Sequence, residues 1–75
     1  MKARLTIVIP VRDESSNIEE IYFRIRKALD DEPLRWSILF VDDASGDDTS
    51  GIIKAICRHD ERVRVHEPAR IGRLD

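Results

Sequence analysis

Apolar residues along the chain follow two different spacings, and the order of these spacings predicts the fold. Nearly unbroken apolar runs at 5–11 and 36–41 are typical of strands that are buried on both faces of a parallel sheet. A shorter helix is predicted around 52–57, and the alternation of polar and apolar residues at 62–66 predicts a third strand. Between the first two runs, apolar residues recur at three- and four-residue steps, as on one face of a helix: Ile18, Ile21, Tyr22, Ile25 and Leu29.

Turn and capping residues predict where these elements begin and end. Ser16 followed by Glu19 resembles a capping box, which places the start of the first helix at or slightly before this point. The proline at the end of 30–33 predicts that the helix stops there, because it biases the preceding residue away from helix. Gly46 predicts a tight bend after the second strand. The candidates for the N-cap of the second helix are Asp47, Asp48 and Thr49.

The order strand, helix, strand, helix, strand predicts an α/β fold. Right-handed crossovers place the three strands parallel and next to one another, with helices covering the faces of the sheet. This is half of a doubly wound nucleotide-binding sheet, in which ligands lie beyond the carboxyl ends of the strands. Polar residues follow the first two strands at 10–14 and 41–45, so both clusters are expected at that edge.

Length, charge and cysteine content exclude several classes of protein. A chain of 75 residues forms one small domain at most, and its net charge of −2, with both signs interspersed, argues against a nucleic-acid binder. The single Cys57 excludes an internal disulfide and a multi-cysteine metal site. No apolar run approaches the roughly 20 residues of a membrane-spanning helix. His59 and His66 lack the spacing of metal ligands and are expected at the surface.

The adjacent acids Asp42 and Asp43 end the second strand and have two possible roles. They could form the turn and cap the next helix, where a carboxylate meets free backbone N–H groups. Capping alone needs one acid, however, and Asp47 and Asp48 stand closer to the predicted helix. The alternative is that the pair accepts hydrogen bonds from a base or a ribose, as acids at strand ends do in nucleotide-binding folds.

The loop after the first strand lacks the glycines that backbone recognition of phosphate requires. Because no glycine occurs before Gly46, both the dinucleotide-binding fingerprint and the P-loop are disfavoured. The loop instead offers a rigid proline, a cation and two acids within 10–14, which suits recognition of a nucleoside by side chains, although a solvated charged loop is the alternative. A phosphoacceptor receiver domain is disfavoured because its acid pair would end the first strand rather than the second.

Three segments together resemble the start of family 2 glycosyltransferases, most closely those that charge polyprenyl or dolichyl phosphate with a sugar. They are TIVIPVRDESSNIEEI (6–21), ILFVDDASGDDT (38–49) and RVRVHEPARIG (62–72). The resemblance implies the N-terminal half of a GT-A (Rossmann-like) nucleotide-diphospho-sugar transferase fold. It also implies that 1–75 is a single partial nucleotide-binding domain whose C-terminal part is absent.

The resemblance implies a segment that binds a UDP- or GDP-sugar for transfer to an acceptor, with polyprenyl phosphate as a candidate and cell-wall or glycolipid biosynthesis as the context. It implies no catalytic and no metal-ligating residue in this chain. Asp13 stands where the family usually has asparagine, and Asp48 where it often has glycine. The nucleotide-sugar-binding residues that it implies are Pro10, Val11, Arg12, Asp13, Glu14, Asp42, Asp43 and Arg70.

Further expectations follow from the same resemblance. In the full-length enzyme, Mg²⁺ or Mn²⁺ is expected on an Asp-x-Asp motif beyond this chain, so the isolated chain is expected to bind no cofactor and to be inactive. A cytoplasmic location is expected, with full-length relatives often at the cytoplasmic face of a membrane. The alternative function is a non-catalytic small α/β protein that acts through protein binding or through self-association at the exposed edge of its first strand.

Overall fold

The computed structural model describes residues 3–43 and 46–68, which form a three-stranded sheet and two helices. All three strands are parallel and lie in the order β1-β2-β3. The predicted α/β class and the predicted β-α-β-α-β order with parallel strands are confirmed. In chain order the elements are β1 (Ala3–Val11), α1 (Ile18–Leu29), β2 (Leu34–Asp42), α2 (Thr49–His59) and β3 (Val63–His66).

The register of the sheet places the carboxyl ends of its first two strands level with each other. β1 pairs with β2 along its whole length, from Ala3 opposite Leu34 to Val11 opposite Asp42. β3 is shorter and pairs only with the segment of β2 that runs from Ile38 to Val41. Because β1 and β2 end at the same height, the loops that follow them leave the sheet side by side.

Both helices pack on the same face of the sheet. Strands that follow one another in the order β1-β2-β3 through right-handed crossovers bring every crossover helix to one side. Alternate residues of β2 point to that side, and Ile18 of α1 and Ile53 of α2 pack there in one cluster with them. The buried residues of this core are Val11, Ile18, Trp36, Ile38, Phe40, Ile53 and Val63.

The prediction that helices cover both faces is wrong for the described residues. Val8 points to the other face and is 57% exposed, and Leu39 beside it is only half-buried. An apolar run predicts that a strand is central in a sheet, but it does not tell which layer covers each face. We refer to the uncovered side, formed by the residues of β1, β2 and β3 that point away from the helices, as the open face.

The ends of the helices agree with the sequence only in part. α1 stops at Leu29, next to the predicted end. It begins at Ile18 with Asn17 as its N-cap, so the predicted capping box at Ser16 is wrong. The Asn17 amide donates instead to the Glu14 carboxylate at 2.8 Å, which makes it part of the preceding loop. α2 has Asp48 as its N-cap, one of the three candidates, although the Asp48 side chain makes no capping hydrogen bond.

Candidate functional site

Two loops meet at the carboxyl edge of the sheet. The first loop (residues 12–17) joins β1 to α1, and the second loop (residues 43–48) joins β2 to α2. The Asp43 N–H donates to the Val11 carbonyl oxygen at 3.0 Å, so the hydrogen bonding between β1 and β2 continues one residue beyond the end of β2. This contact keeps the loops adjacent where they emerge, at the edge where parallel α/β sheets bind their ligands.

Hydrogen bonds between backbone and side chains fasten the two loops together. Each of these bonds joins residues that are between 32 and 35 positions apart in sequence, so each is a tertiary contact. Together they fix the path of both loops, because the backbone N–H groups that point across the gap are satisfied by the opposite segment. We call these three bonds the loop latch: Gly46 N to Asp13 Oδ1 at 2.7 Å, Ser15 N to Asp47 Oδ2 at 3.3 Å, and Glu14 N to Thr49 Oγ1 at 2.9 Å.

Thr49 and Asp47 form the centre of the loop latch. The Thr49 side chain is completely buried, accepts the Glu14 N–H and donates its own hydroxyl to Asp47 Oδ1. The Thr49 N–H also donates to Asp47 Oδ1, at 3.0 Å. Hydrogen bonds from Thr49, first from its hydroxyl, lower the pKa of Asp47 from 3.8 to about 2. Asp47 is therefore held as a carboxylate that accepts hydrogen bonds from the first loop and from the first residue of α2.

Asp13 has the unusual backbone conformation of this region. Its φ is +52°, in the left-handed region that aspartate and asparagine enter more readily than most residues because their short polar side chains bond locally. Gly46 does not have a φ in the left-handed region, and a Cβ there would meet Asp13 Oδ1 at 3.8 Å, an ordinary contact. The chain bends at Gly46, as predicted, without a left-handed φ there, whereas the residue with a left-handed φ is Asp13 in the first loop.

The paired acids of the second strand point to opposite sides of the sheet. Asp42 is 3% exposed and lies on the helix-covered side, in phase with the buried residues of β2. Asp43 is exposed and, as the next residue along the same extended path, points to the other side. A ligand that touches both carboxylates has to straddle the end of β2.

Arg12 and Asp43 are the predicted site residues whose charged side chains face solvent without a bonded partner in the described part of the chain. Arg12 is exposed in the first loop, directly after the buried end of β1. No ion pair or side-chain hydrogen bond engages either group among residues 3–43 and 46–68. The loop latch thus brings a cation and an anion to the same edge and leaves both accessible.

The remaining predicted site residues have other surroundings. Val11 is 5% exposed and belongs to the core, whereas Pro10 is exposed on the open face. The Glu14 carboxylate accepts a hydrogen bond from the Asn17 side-chain amide, and the Glu14 N–H belongs to the loop latch. Arg70 lies outside the described residues. Val11 therefore packs in the core, and the nucleotide-binding roles of the other residues stay predictions.

Sequence analysis did not assign Ser15, Asp47 and Thr49 to the site. The signal that could have found the last two is their spacing, because an acid two residues before a threonine at a helix start commonly bonds the threonine N–H. The contacts with the first loop had no local signal, since they depend on how β1 and β2 pair.

The described residues do not form a metal site. No three histidine, cysteine, aspartate or glutamate side chains in 3–43 and 46–68 are grouped so that they could hold a metal ion. The acids near the carboxyl edge are already divided between the loop latch, the interior and the solvent. The Mg²⁺ or Mn²⁺ expected for the full-length enzyme therefore does not fit the residues described.

In the same part of the chain, no helix is long and apolar enough to cross a membrane. The longer of the two helices, α1, has 12 residues.

Comparison with known protein families gives one match over most of the chain. Residues 6–70 match the family described as Glycosyl transferase family 2. The matched region begins inside β1 and contains both loops, the loop latch and all of α1, β2, α2 and β3. The family pattern and the contacts that assemble the carboxyl edge therefore fall on the same residues.

Proposed function

The chain belongs to glycosyl transferase family 2, and we propose that it supplies the nucleotide-binding part of an enzyme that uses a UDP- or GDP-sugar. The observation that carries this proposal is the loop latch, because it holds both loops in one arrangement at the ligand-binding edge of the sheet. Arg12 and Asp43 lie accessible at that edge. Loops that are already ordered lower the entropic cost of ligand binding.

Each proposed contact has a chemical reason. The Asp43 carboxylate accepts hydrogen bonds, and a nucleoside offers the N–H groups of its base and the hydroxyls of its ribose. The Arg12 guanidinium donates to phosphate oxygens in a planar, bidentate geometry. Asp42, on the other side of β2, approaches the same ligand from below when the ligand straddles the strand end. Arg70 is proposed to add a second cation toward the phosphates.

The reaction proposed for the enzyme transfers a sugar from the nucleotide to an acceptor, for which polyprenyl phosphate is our candidate. The bond between the anomeric carbon and the diphosphate breaks, a bond from that carbon to an acceptor oxygen forms, and the nucleoside diphosphate leaves. Charge on the leaving diphosphate has to be stabilised, and Mg²⁺ or Mn²⁺ held by other residues would do this. Cell-wall or glycolipid synthesis at the cytoplasmic face of a membrane is the proposed setting, with 1–75 as a partial domain.

We propose accordingly that the 75-residue chain binds nucleotide without catalysing transfer. Incubation with radiolabelled UDP- and GDP-sugars, polyprenyl phosphate and Mn²⁺ should give no labelled lipid above the background of boiled protein. Turnover by this chain would show that it contains a complete active site.

Isothermal titration with UDP and with GDP tests the binding proposal. Asp43→Asn keeps the size of the side chain but removes its charge. The affinity for the preferred nucleotide should fall by roughly tenfold, since a hydrogen bond to a charged group is lost. Asp31→Asn is the matched control, because Asp31 is an exposed acid in the turn after α1 and far from the carboxyl edge. Equal affinity of the two variants would refute the role of Asp43.

The second candidate function is self-association of a non-catalytic α/β protein. It is favoured by β1, a nine-residue strand that pairs only with β2 in the described sheet and has its other edge unpaired there. Unpaired edges recruit further strands. Light scattering on the chain at rising concentration tests this: a dimer that dissociates when Thr6 is replaced by proline supports edge pairing, and a monomer throughout excludes it.

A further inference from the structure

A groove of about 490 Å³ lies between the two helices and is lined only by their residues. Its apolar lining comes from the half-buried residues Tyr22 of α1 and Ile52 and Ile56 of α2, together with exposed Ala55. The charged or titratable residues that line it are exposed, and they are Glu19, Arg26 and His59. The groove is therefore an apolar surface with one acid and one guanidinium at its rim.

An exposed aromatic ring stands beside this groove. Phe23 is 59% exposed, more than Val8 or Leu5, the other exposed large apolar residues of the described chain. It lies four residues after Glu19 and three before Arg26, so it shares their stripe of α1 at the outer edge of the groove. The Lys27 ammonium, 5.9 Å from the centre of the Phe23 ring, leaves most of it accessible. Exposed aromatic rings next to apolar surface are typical of interaction sites.

Opposite charges are separated along α1. Its first turn contains Glu19 and Glu20, and its last turn contains Arg26 and Lys27. Within the described residues Glu19 has no ion-pair partner, and Arg26 has only a 3.4 Å contact with exposed Asp30, of a kind that contributes little to stability. The groove thus has an unpaired acid and a weakly paired cation, about 10 Å apart along the helix.

We propose that two copies of this chain dimerise through this surface, with Phe23 of each copy in the groove of the other. The two α1 helices are antiparallel about a two-fold axis, so that Glu19 of each copy meets Arg26 of the second copy. In such an interface the same surface is used twice, so one groove, one ring and one pair of charges per copy are sufficient. A parallel arrangement would bring like charges together and is disfavoured.

The groove can accept an aromatic ring without leaving a polar group unpaired. The Tyr22 hydroxyl already donates to Asp60 at 2.6 Å, so only the ring of Tyr22 is offered to the incoming Phe23. The Arg26 guanidinium lies 5.6 Å from the centre of the Tyr22 ring, which places the proposed ion pair with Glu19 of the second copy beside the inserted ring. An aromatic centre with a charged rim is the usual composition of a specific interface.

This dimer leaves the proposed nucleotide site accessible. Because α1 begins at the carboxyl edge of the sheet, the antiparallel arrangement directs the two carboxyl edges to opposite ends of the dimer. The surface is also separate from the free edge of β1 and from the open face. Assembly through the helices is therefore independent of nucleotide binding and of strand pairing.

Sedimentation velocity of the 75-residue chain at rising concentration tests the proposal. A monomer–dimer equilibrium is expected. Phe23→Gln should raise the dissociation constant of the dimer at least tenfold, because two buried aromatic contacts are lost. The variant should fold, since the side chain is exposed and glutamine favours helix. Val8→Thr is the matched control, because Val8 is similarly exposed at 57% but lies on the open face.

Charge reversal tests the antiparallel arrangement. Glu19→Arg alone and Arg26→Glu alone should each weaken the dimer, since each places like charges opposite each other. An equimolar mixture of these two variants should dimerise again, because every acid then meets a cation. Arg24→Gln is the control, since Arg24 bonds Glu20 within α1 and does not line the groove. Circular dichroism checks that each variant keeps its helices, as Glu19→Arg places a cation at a helix start.

Three results would overturn the proposal. A monomer at millimolar concentration would mean that the groove does not bind a second copy. A dimer that persists in Phe23→Gln would have another interface, which Val8→Thr locates on the open face and Thr6→Pro at the edge of β1. A mixture of the two charge variants that dimerises no better than either alone would contradict the antiparallel arrangement.

Discussion

Charged side chains at the two ends of the sheet are used in opposite ways. At the amino end they bond one another: Arg62 donates to both oxygens of Asp60 at 2.9 Å, and the Tyr22 hydroxyl donates to Asp60 at 2.6 Å. Arg62 also lies 3.9 Å above the Trp36 ring. These hydrogen bonds, first those from Arg62, hold the pKa of Asp60 well below its usual range. The network ties both helices to the start of β3.

At the carboxyl end, the hydrogen bonds that join the two loops run from backbone N–H groups to side chains. Asp13, Asp47 and Thr49 accept N–H groups from the opposite loop, which fixes the course of the main chain. Arg12 and Asp43 take no part in this and remain accessible. A closed network of side chains thus stabilises the fold, whereas a fastened backbone with unengaged charges prepares a site for a ligand.

The largest expected effect is on the amino-end network. Asp60→Ala should lower the free energy of unfolding by about 2 kcal/mol, because it removes charged hydrogen bonds from Arg62 and Tyr22 at a side chain that is 9% exposed. Urea unfolding measures the change, with Glu61→Ala at the exposed neighbouring position as the control. A loss no greater than that of the control would mean that the network contributes little to stability.

Breaking the loop latch should have the next largest effect. Thr49→Val keeps the shape of a fully buried side chain but leaves the Glu14 N–H without its acceptor, at a cost of about 1.5 kcal/mol in the free energy of unfolding. The same substitution at exposed Thr6 is the control. If the latch organises the ligand edge, Thr49→Val should also weaken nucleotide binding at temperatures where the variant is still folded. Unchanged nucleotide affinity would separate the latch from the site.

As the pH falls, the hydrogen bonds of Asp47 and those of Asp60, at opposite ends of the sheet, should be lost at different pH values. Because the pKa of Asp47 is lowered from 3.8 to about 2, its contribution to stability is complete above about pH 4 and is lost as the pH falls through about 2. Asp60 is depressed further, so its network should persist to lower pH. Amide shifts of Ser15 and Thr49, which bond Asp47, should therefore move before that of Arg62, which bonds Asp60.

The order of these transitions decides whether the two ends are independent. A simultaneous transition of all three amides would indicate that the chain unfolds as a whole before either carboxylate is protonated. Asp47→Asn should abolish the earlier transition and leave that of the Arg62 amide in place.

The smallest expected effect is at Gly46. Gly46→Ala should change the free energy of unfolding by no more than about 0.5 kcal/mol, since the φ of Gly46 lies outside the left-handed region and the added Cβ makes only an ordinary contact with Asp13. Thermal unfolding of the variant measures this. A large loss would indicate that the second loop needs the conformational freedom of glycine after all.

Local patterns in the sequence predicted the elements of the fold well. Apolar runs and three- to four-residue spacings located β1, α1, β2, α2 and β3 in the right order, and the proline after α1 located its end. The same patterns could not tell which face of the sheet the helices cover, because Val8 and Ile9 are equally apolar although only Ile9 packs against the core.

The candidate site was predictable only as a set of residue types at one edge. Strand order and the positions of Arg12, Asp42 and Asp43 indicated where a ligand would bind. The opposite orientation of the two acids follows from where β2 ends, and the loop latch follows from the register of β1 against β2; both are tertiary facts. The left-handed conformation of Asp13 was not predicted, since a sequence does not show which residue of a loop turns.

The most direct test of the account is a map of nucleotide binding across both ends of the sheet. Amide chemical shifts of the chain should be recorded during titration with UDP and, separately, with GDP. One of the two nucleotides should shift the amides of Arg12, Asp13 and Asp43, while those of Glu61 and Arg62 at the other end should not move. Shifts confined to Glu61 and Arg62, or none with either nucleotide, would contradict this prediction.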